Sequence, residues 1–207
     1  MRWCPLLVSL FVALAALAAE PVPRAPLDLR DRPVLGKETA PIVVVEISSF
    51  KCAHCREFHQ KIFPQLRAAY IDTGKVQWTM LNASDDPSDQ HSQIFTIARC
   101  AQRQGKYWEL LDHLFAVANR PPSFLADLVT KSPLIDRADL EAGLRDRALR
   151  NAVAADFADY ARLKSRGTPT FRVTKIGAGG ERTEITIAGL KSFEHFQATF
   201  DQLLKSP

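Results

Sequence analysis

The chain has 207 residues, of which 46% are hydrophobic and 24% are charged, and this composition is that of an ordinary globular protein. A chain of this length buries a core without help from disulfides, so its four cysteines are not needed as a scaffold. The net charge of +4 is spread over the whole length, which argues against a nucleic-acid-binding protein.

The first 19 residues have the pattern of a secretory signal peptide. Arg2 supplies a positive charge, an apolar stretch follows from Pro5, and Ala16-Leu17-Ala18 gives an A-x-A cleavage pattern. The apolar stretch is short for a membrane-spanning helix, although an uncleaved anchor is the competing interpretation. We expect cleavage near Ala18/Ala19 and a periplasmic or other extracytoplasmic location. The mature chain then has three cysteines in a compartment where disulfides form: Cys52, Cys55 and Cys100.

The next segments predict one strand, helix, strand unit. Residues 20–33 contain four prolines, which indicates an extended leader before the folded domain. The β-branched run "IVVVEIS" predicts a central strand that is buried on both faces. Apolar residues at helical spacing then predict a helix from the cysteine pair to about residue 74, with a kink at Pro64, and "KVQWTMLN" predicts the second strand.

The second half of the chain changes twice in pattern. Residues 87–165 show only helical spacing, broken by Gly105, Pro121-Pro122 and Pro133. The segments "PTFRVTKI" and "RTEITIAG" then predict a hairpin around "GAGG", and "KSFEHFQATFDQLL" predicts a final amphipathic helix. The predicted organisation is therefore α/β: residues 34–86 and 166–207 form one domain, and residues 87–165 form a helical insertion.

Cys52 and Cys55 stand at the predicted junction between the first strand and the first helix. A disulfide between them would enclose only two residues, so it would stabilise the fold little. Helix N-terminal amides and the helix dipole stabilise a thiolate, which makes Cys52 the attacking sulfur and Cys55 the resolving one. His54 and Lys51 add positive charge or a hydrogen bond beside that thiolate. Because this stabilises the reduced form, the disulfide is expected to be an oxidant.

A cysteine pair can also attach haem or bind a metal ion. A c-type haem site needs histidine directly after the second cysteine, and Arg56 stands there. A zinc or copper site could use both cysteines with His54 or His59, although no second pair lies at finger-like spacing. A C-x-x-C pair beside a strand, helix, strand pattern indicates thioredoxin-like redox chemistry, for which no metal or other cofactor is expected.

Several segments resemble the DsbA-like thiol-disulfide oxidoreductases, exported disulfide-bond formation proteins with a thioredoxin fold and a helical insertion. The resemblance covers residues 33–205 and is carried by "VLGKETAPIVVVEISSFKCAHC", "HQKIFPQLRAAYIDTGKVQW", "IARCAQRQGKYWELLDHLF" and "RGTPTFRV". It implies that Cys52 is the exposed nucleophile and Cys55 its buried partner. It also implies that Thr168-Pro169 is a cis-proline loop, which lies against the disulfide and pairs with substrate backbone.

The resemblance also assigns Glu46, six residues before Cys52, as a buried acid that helps to move protons. Two residues depart from the best-known oxidases, which have proline where this chain has Ala53 and valine where it has Thr168. Both positions tune the redox potential in the family, so the oxidising strength stays open. We expect Cys100 to be a packed thiol rather than a redox participant.

The expected function is that of an oxidase that donates the Cys52–Cys55 disulfide to unfolded or reduced exported proteins. The resemblance implies reoxidation by a membrane quinone-linked partner, either DsbB-like or VKOR-like. A disulfide isomerase or reductase is the first alternative. Residues 20–40 leave no room for the dimerisation domain that such isomerases carry, which favours a monomer. A periplasmic metal-binding or substrate-holding module is the alternative from another class.

Overall fold

A computed structural model describes residues 29, 31–84, 86–163 and 165–206, so the predicted signal peptide and most of the predicted leader lie outside the described residues. Four strands form one sheet in the order β2-β1-β3-β4: β1 (Ile42–Ser48), β2 (Val76–Asn82), β3 (Thr170–Ile176) and β4 (Arg182–Ala188). β1 is parallel to β2 and antiparallel to β3, and β3 is antiparallel to β4. The four predicted strands and the mixed sheet of a thioredoxin fold are confirmed.

The first helix, α1, covers residues 53–71 and alternates between two helical geometries. α-Helical turns at Ala53–Glu57 and Phe63–Leu66 are followed by π-helical turns at Phe58–Ile62 and Arg67–Ile71. Pro64 is the second residue after the first π-helical turn, and it lacks the amide hydrogen that would bond to the carbonyl of Gln60 in a regular α-helix. The helix therefore accommodates the proline at a change of hydrogen-bonding pattern.

The helices predicted after β2 are confirmed. Between β2 and β3 the chain forms α2 (Gln90–Cys100) with a 3₁₀ turn after it, α3 (Tyr107–Ala116), α4 (Pro122–Thr130), α5 (Arg137–Arg145) and α6 (Arg147–Leu163), and α7 (Phe193–Lys205) follows β4. The domain boundaries at residues 86–87 and 165–166 stay predictions. No helix within the described ranges is long and apolar enough to cross a membrane.

The core lies between the sheet and helices α1, α3 and α7. Phe58 of α1 is its centre, because its ring centroid lies 4.6 to 6.0 Å from those of Trp78, Phe171 and Phe196. The same cluster extends towards α3 through Phe63, whose ring packs on Trp108. Burial of these large rings fixes α1 against β2, β3 and α7, and so holds the cysteine pair at its first turn in place.

A buried group of charges ties the residues before β1 to the helical insertion. Asp156 of α6 accepts hydrogen bonds from Arg32 and from Arg99 of α2. Arg99 also donates to the carbonyl oxygen of Asp31 at 2.6 Å. Arg99 and Asp156 are only 1% and 6% exposed, so each charge depends on its partners for compensation.

We therefore predict that Asp156→Asn lowers the free energy of unfolding by about 3 to 5 kcal/mol, because it removes the carboxylate partner of the buried Arg99, whereas Arg32 keeps its ion pair with Asp159. Urea denaturation followed by circular dichroism measures the change. Asp127→Asn is the matched control, since Asp127 pairs with Lys131 at 3.0 Å in an exposed i,i+4 pair and should contribute little. Equal effects of the two substitutions would contradict this account of the buried charges.

Candidate active site

The cysteine pair lies at the junction of β1 and α1, as predicted. Cys52 is the residue directly before α1, with φ −88° and ψ 120°, and its carbonyl accepts the first helical hydrogen bond from Arg56 at 3.1 Å. Cys55 lies in the first turn and is fully buried, whereas Cys52 is partly exposed. Both are free thiols in this structure. An incoming thiolate can thus reach the sulfur of Cys52 but not that of Cys55.

The surroundings of Cys52 favour its thiolate. Partial burial acts to raise its pKa, but the polar groups beside the sulfur, which are the Thr168 side chain, the amide and side chain of Cys55 and the amide of His54, favour the thiolate and outweigh that effect. The pKa of Cys52 is therefore lowered. The amide donors belong to the first turn of α1, which is the contribution that the strand-to-helix junction predicts.

Two of the predicted positive neighbours act differently from the sequence-based expectation. The structure places the His54 side chain on the exposed surface, where its charge acts on Glu57, and it is the backbone amide of His54 that acts on the Cys52 sulfur. Lys51 forms an ion pair with Asp89 at the start of α2. Backbone amides and Thr168 thus replace the predicted side-chain charges as the described partners of the thiolate.

Thr168 and Pro169 form the opposite wall of the site, and the peptide bond between them is cis, as predicted. The thiol of Cys52 donates a hydrogen bond to the carbonyl oxygen of Thr168 at 3.3 Å. This contact exists only with the neutral thiol, whereas the Thr168 side chain favours the thiolate. The loop thus lies directly against the nucleophile, although 116 residues separate them in sequence.

Cys55 has the opposite electrostatic setting. Burial raises its pKa to about 12, the neighbouring Ser48 side chain and Ser49 backbone oppose that effect, and the negative charge of Glu46 adds to it. At neutral pH the free sulfur of Cys55 is therefore a thiol. When the disulfide opens, this sulfur must gain a proton, and when the disulfide forms again, it must lose one.

Glu46 is buried in the middle of β1, as predicted, and its two oxygens have different partners. Oε1 lies 2.8 Å from Nε2 of His59, and Oε2 accepts a hydrogen bond from the indole nitrogen of Trp78 at 3.1 Å. Glu46 is 0% exposed, so both contacts are shielded from water. The carboxyl group that acts on Cys55 is thus also connected to a histidine.

His59 is a site residue for which the sequence indicated only a possible role as a metal ligand. It is 6% exposed and lies on the inner face of α1 with Cys55 and Phe63. The spacing of four residues to each of these neighbours was a signal for its burial. Nothing in the spacing indicated that Glu46 would be its partner, since the two are joined only through the packing of α1 on β1.

The remaining candidates lie apart from this chemistry. Across the residues that the structure describes, no group of three or more His, Cys, Asp and Glu side chains could hold a metal ion. Cys100 is fully buried in α2, and burial raises the pKa of its thiol. It packs against α5, where a Cβ on Gly143 would lie 3.0 Å from its sulfur. The packed thiol that the sequence predicts is therefore what the fold contains.

Comparison with known proteins places this site in a family. The thioredoxin family model matches residues 29–193. Disulfide bond formation protein D of Bacillus subtilis is 26% identical over 159 residues, which cover 70% of this chain and 68% of that protein. A probable disulfide bond formation protein D of Bacillus anthracis is 30% identical over 149 residues, with 67% and 68% covered.

Solved structures agree with the fold. Alpha-DsbA1 of Wolbachia pipientis matches with a TM-score of 0.71 and 22% identity, over 86% of this chain and 92% of that one. Oxidised BdbD of Bacillus subtilis matches with a TM-score of 0.67 and 23% identity, over 86% and 96%. From the matched family model, the relatives and the cysteine pair, we conclude that the chain belongs to the thioredoxin family and is a protein-disulfide oxidoreductase with a DsbA-like fold.

Proposed function

We propose that the protein is an extracytoplasmic oxidase that donates the Cys52–Cys55 disulfide to reduced exported proteins. The observation that carries this proposal is the contrast between the two sulfurs, since the pKa of Cys52 is lowered and that of Cys55 is raised to about 12. A reduced pair that holds one stabilised thiolate is lower in free energy than a pair of ordinary thiols. The disulfide of such a pair is correspondingly easy to reduce, and therefore oxidises other thiols.

The reaction proceeds in two exchanges. A substrate thiolate attacks Sγ of Cys52, the bond to Cys55 breaks, and the Cys55 sulfur leaves with the electron pair and takes up a proton. A second substrate thiolate then attacks the substrate sulfur of the mixed disulfide, and Cys52 leaves as a thiolate. The substrate loses two electrons as its disulfide forms, and the cysteine pair gains them.

The other site residues take roles around this exchange. The Thr168-Pro169 loop faces the attacked sulfur and is where we expect the substrate backbone to bind. Glu46, whose charge acts on Cys55, is the expected proton donor and acceptor for that sulfur. His54 contributes its amide to the Cys52 thiolate. No step in this scheme uses a cofactor.

The wider setting is part of the same proposal. Export by the signal peptide, with cleavage near Ala18/Ala19, would bring the cysteine pair to a compartment where disulfides persist. The reduced pair would then return its electrons to a membrane quinone-linked partner of DsbB-like or VKOR-like type, and the chain would act as a monomer. The names of the Bacillus relatives support disulfide formation as the net direction.

We expect the oxidised mature protein to convert a reduced two-cysteine peptide to its disulfide in a single turnover, measured by mass spectrometry after acid quenching. Cys52→Ser should abolish the reaction, because it removes the attacked sulfur. Cys55→Ala cannot form the internal disulfide, so it is mixed instead with a single-cysteine peptide supplied as its disulfide with glutathione. Its Cys52 thiolate should displace glutathione and accumulate a mixed disulfide with the peptide, because Cys55 is absent to resolve it. Cys100→Ala is the control and should react like the wild type.

Two results would contradict this proposal. If no mixed disulfide forms on Cys52 in the Cys55→Ala variant, the assignment of the nucleophile is wrong. If the protein instead rearranges the disulfides of a mispaired substrate with little net oxidation, the isomerase alternative is correct.

We also predict that Thr168→Val raises the pKa of Cys52, because it removes a side-chain hydrogen bond that favours the thiolate. Titration of thiolate absorbance near 240 nm measures the pKa. Thr170→Val is the matched control, since the Thr170 hydroxyl donates to the carbonyl oxygen of Gly167 at 2.7 Å. A Cys52 pKa that stays constant in Thr168→Val, or that changes equally in the control, would show that Thr168 does not tune the nucleophile.

A further inference from the structure

The pair formed by Glu46 and His59 is held in a single arrangement by its surroundings. The His59 ring stacks on Phe115 of α3 with a centroid distance of 3.7 Å and an interplanar angle of 4°. The His59 and Glu46 side chains are 2% and 0% exposed. Trp78 holds the other carboxylate oxygen. The Nε2 atom of His59 is thus directed at Glu46 and has no freedom to turn towards water.

The same histidine also lines a groove between α1 and α3, which we call the α1–α3 groove. The groove has a volume of about 380 Å³, and its polar residues are Gln60, Arg67 and Asp112. Arg67 and Asp112 face each other at 3.4 Å with exposed side chains, so they mark its side towards solvent. A groove of this size admits several water molecules, since each occupies about 30 Å³ in the liquid.

The second nitrogen of His59 is an unpartnered buried atom. Within the part of the chain that the structure describes, Nδ1 is buried and has no hydrogen-bond partner. A buried polar nitrogen without a partner costs free energy, about 1 to 3 kcal/mol. Capping Glu46 needs only the donor at Nε2, so it gives no reason for a second ring nitrogen at this place. One ring nitrogen of His59 contacts Glu46, the other is unpartnered, and the residue lines the α1–α3 groove. This arrangement is suited to carry protons between Glu46 and the groove.

We propose that His59 is a positioning residue that passes protons between Glu46 and the α1–α3 groove. This inference rests on the proposed function, because it concerns how Cys55 gains and loses its proton. When the disulfide opens, Nδ1 of His59 takes a proton from the groove, Nε2 releases its proton to the Glu46 carboxylate, and Glu46 passes that proton to the Cys55 sulfur. Glu46 and His59 end with as many protons as at the start, although the ring proton of His59 has moved from Nε2 to Nδ1. The net change is one proton from solvent to Cys55.

Imidazole is suited to this transfer because it has two nitrogens that can each hold or release a proton. The charged groups that face this path are Glu46 from β1, Arg67 from α1 and Asp112 from α3. Glu109 and His113 of α3 act on Asp112 in turn. The path runs in the opposite direction when Cys55 attacks a mixed disulfide on Cys52, because its thiol must first lose the proton.

The test measures that reverse step directly. The reduced protein is mixed with oxidised glutathione, and the decay of the Cys52–glutathione mixed disulfide is followed by acid quenching and mass spectrometry. His59→Gln keeps an amide that can donate to Glu46 but cannot transfer a proton. We expect it to slow the decay by about tenfold or more, since general acid–base groups typically contribute at least that much. The pKa of Cys52 and the glutathione equilibrium should stay unchanged.

Two further measurements separate proton transfer from structural support. His195→Gln is the matched control, because this histidine is exposed on α7, outside the lining of the α1–α3 groove, and its substitution should leave the decay rate unchanged. His59→Ala should recover part of its rate when imidazole is added, because the small base can enter the α1–α3 groove. A merely structural histidine would give neither a rate loss in His59→Gln at constant equilibrium nor recovery with imidazole.

The inference is overturned if His59→Gln resolves the mixed disulfide at the wild-type rate. It is also overturned if the loss of rate is matched by a change in the glutathione equilibrium, or if imidazole has no effect on His59→Ala. Failure of the proposed oxidase function would appear separately, as a wild-type protein that does not oxidise the two-cysteine peptide. The decay of the glutathione adduct is measured on the protein's own cysteines and does not depend on that result.

Discussion

The stabilisation of the Cys52 thiolate by the polar groups around its sulfur is the interaction on which the rest of the site depends. These groups belong to the first turn of α1 and to the loop before β3, so the thiolate is favoured only when both are in place. β1 and β3 are paired along Ile42–Ile47, which brings Thr168 to the end of β1 where Cys52 begins the helix. The mixed sheet thus does more than form a core, since it sets the distance between the nucleophile and its opposite wall.

A second constraint comes from the full burial of Glu46 in β1. A carboxyl group without access to water needs partners in the protein, and the fold supplies Trp78 from β2 and His59 from α1. Phe115 of α3 fixes the histidine ring, so the helical insertion contributes to the same group. Cys52 is therefore partly exposed to solvent and has a lowered pKa, while the proton of Cys55 is exchanged with the buried Glu46 and His59. The first turn of α1 can thus hold two sulfurs with opposite pKa shifts.

Much of this could be predicted from the sequence, because the signals were local. The β-branched run before the cysteines, the helical spacing after them and the glycine-rich hairpin each depend on neighbours within one element. Thr168-Pro169 was found only by resemblance, since no local rule brings it across 116 residues to Cys52. The ring of His54 was expected beside the thiolate, but at this turn of α1 the backbone amide faces the sulfur and the side chain faces solvent. His59 was missed as a partner of Glu46 because the contact depends on how α1, with its π-helical turns, packs on β1.

The central claim is that the fold stabilises the Cys52 thiolate and thereby the reduced protein. The folded pKa of Cys52 is lowered, so its stabilising effect is present above the ordinary thiol pKa and is lost as the pH falls through the folded value. The raised pKa of Cys55 matters only above the ordinary thiol pKa of about 8.5. The direct test is urea unfolding of the oxidised protein and of the reduced protein across the acidic to neutral range. The account predicts that the stability of the reduced protein relative to the oxidised one grows as the pH rises through the Cys52 pKa. A stability difference that is independent of pH in this range would contradict it.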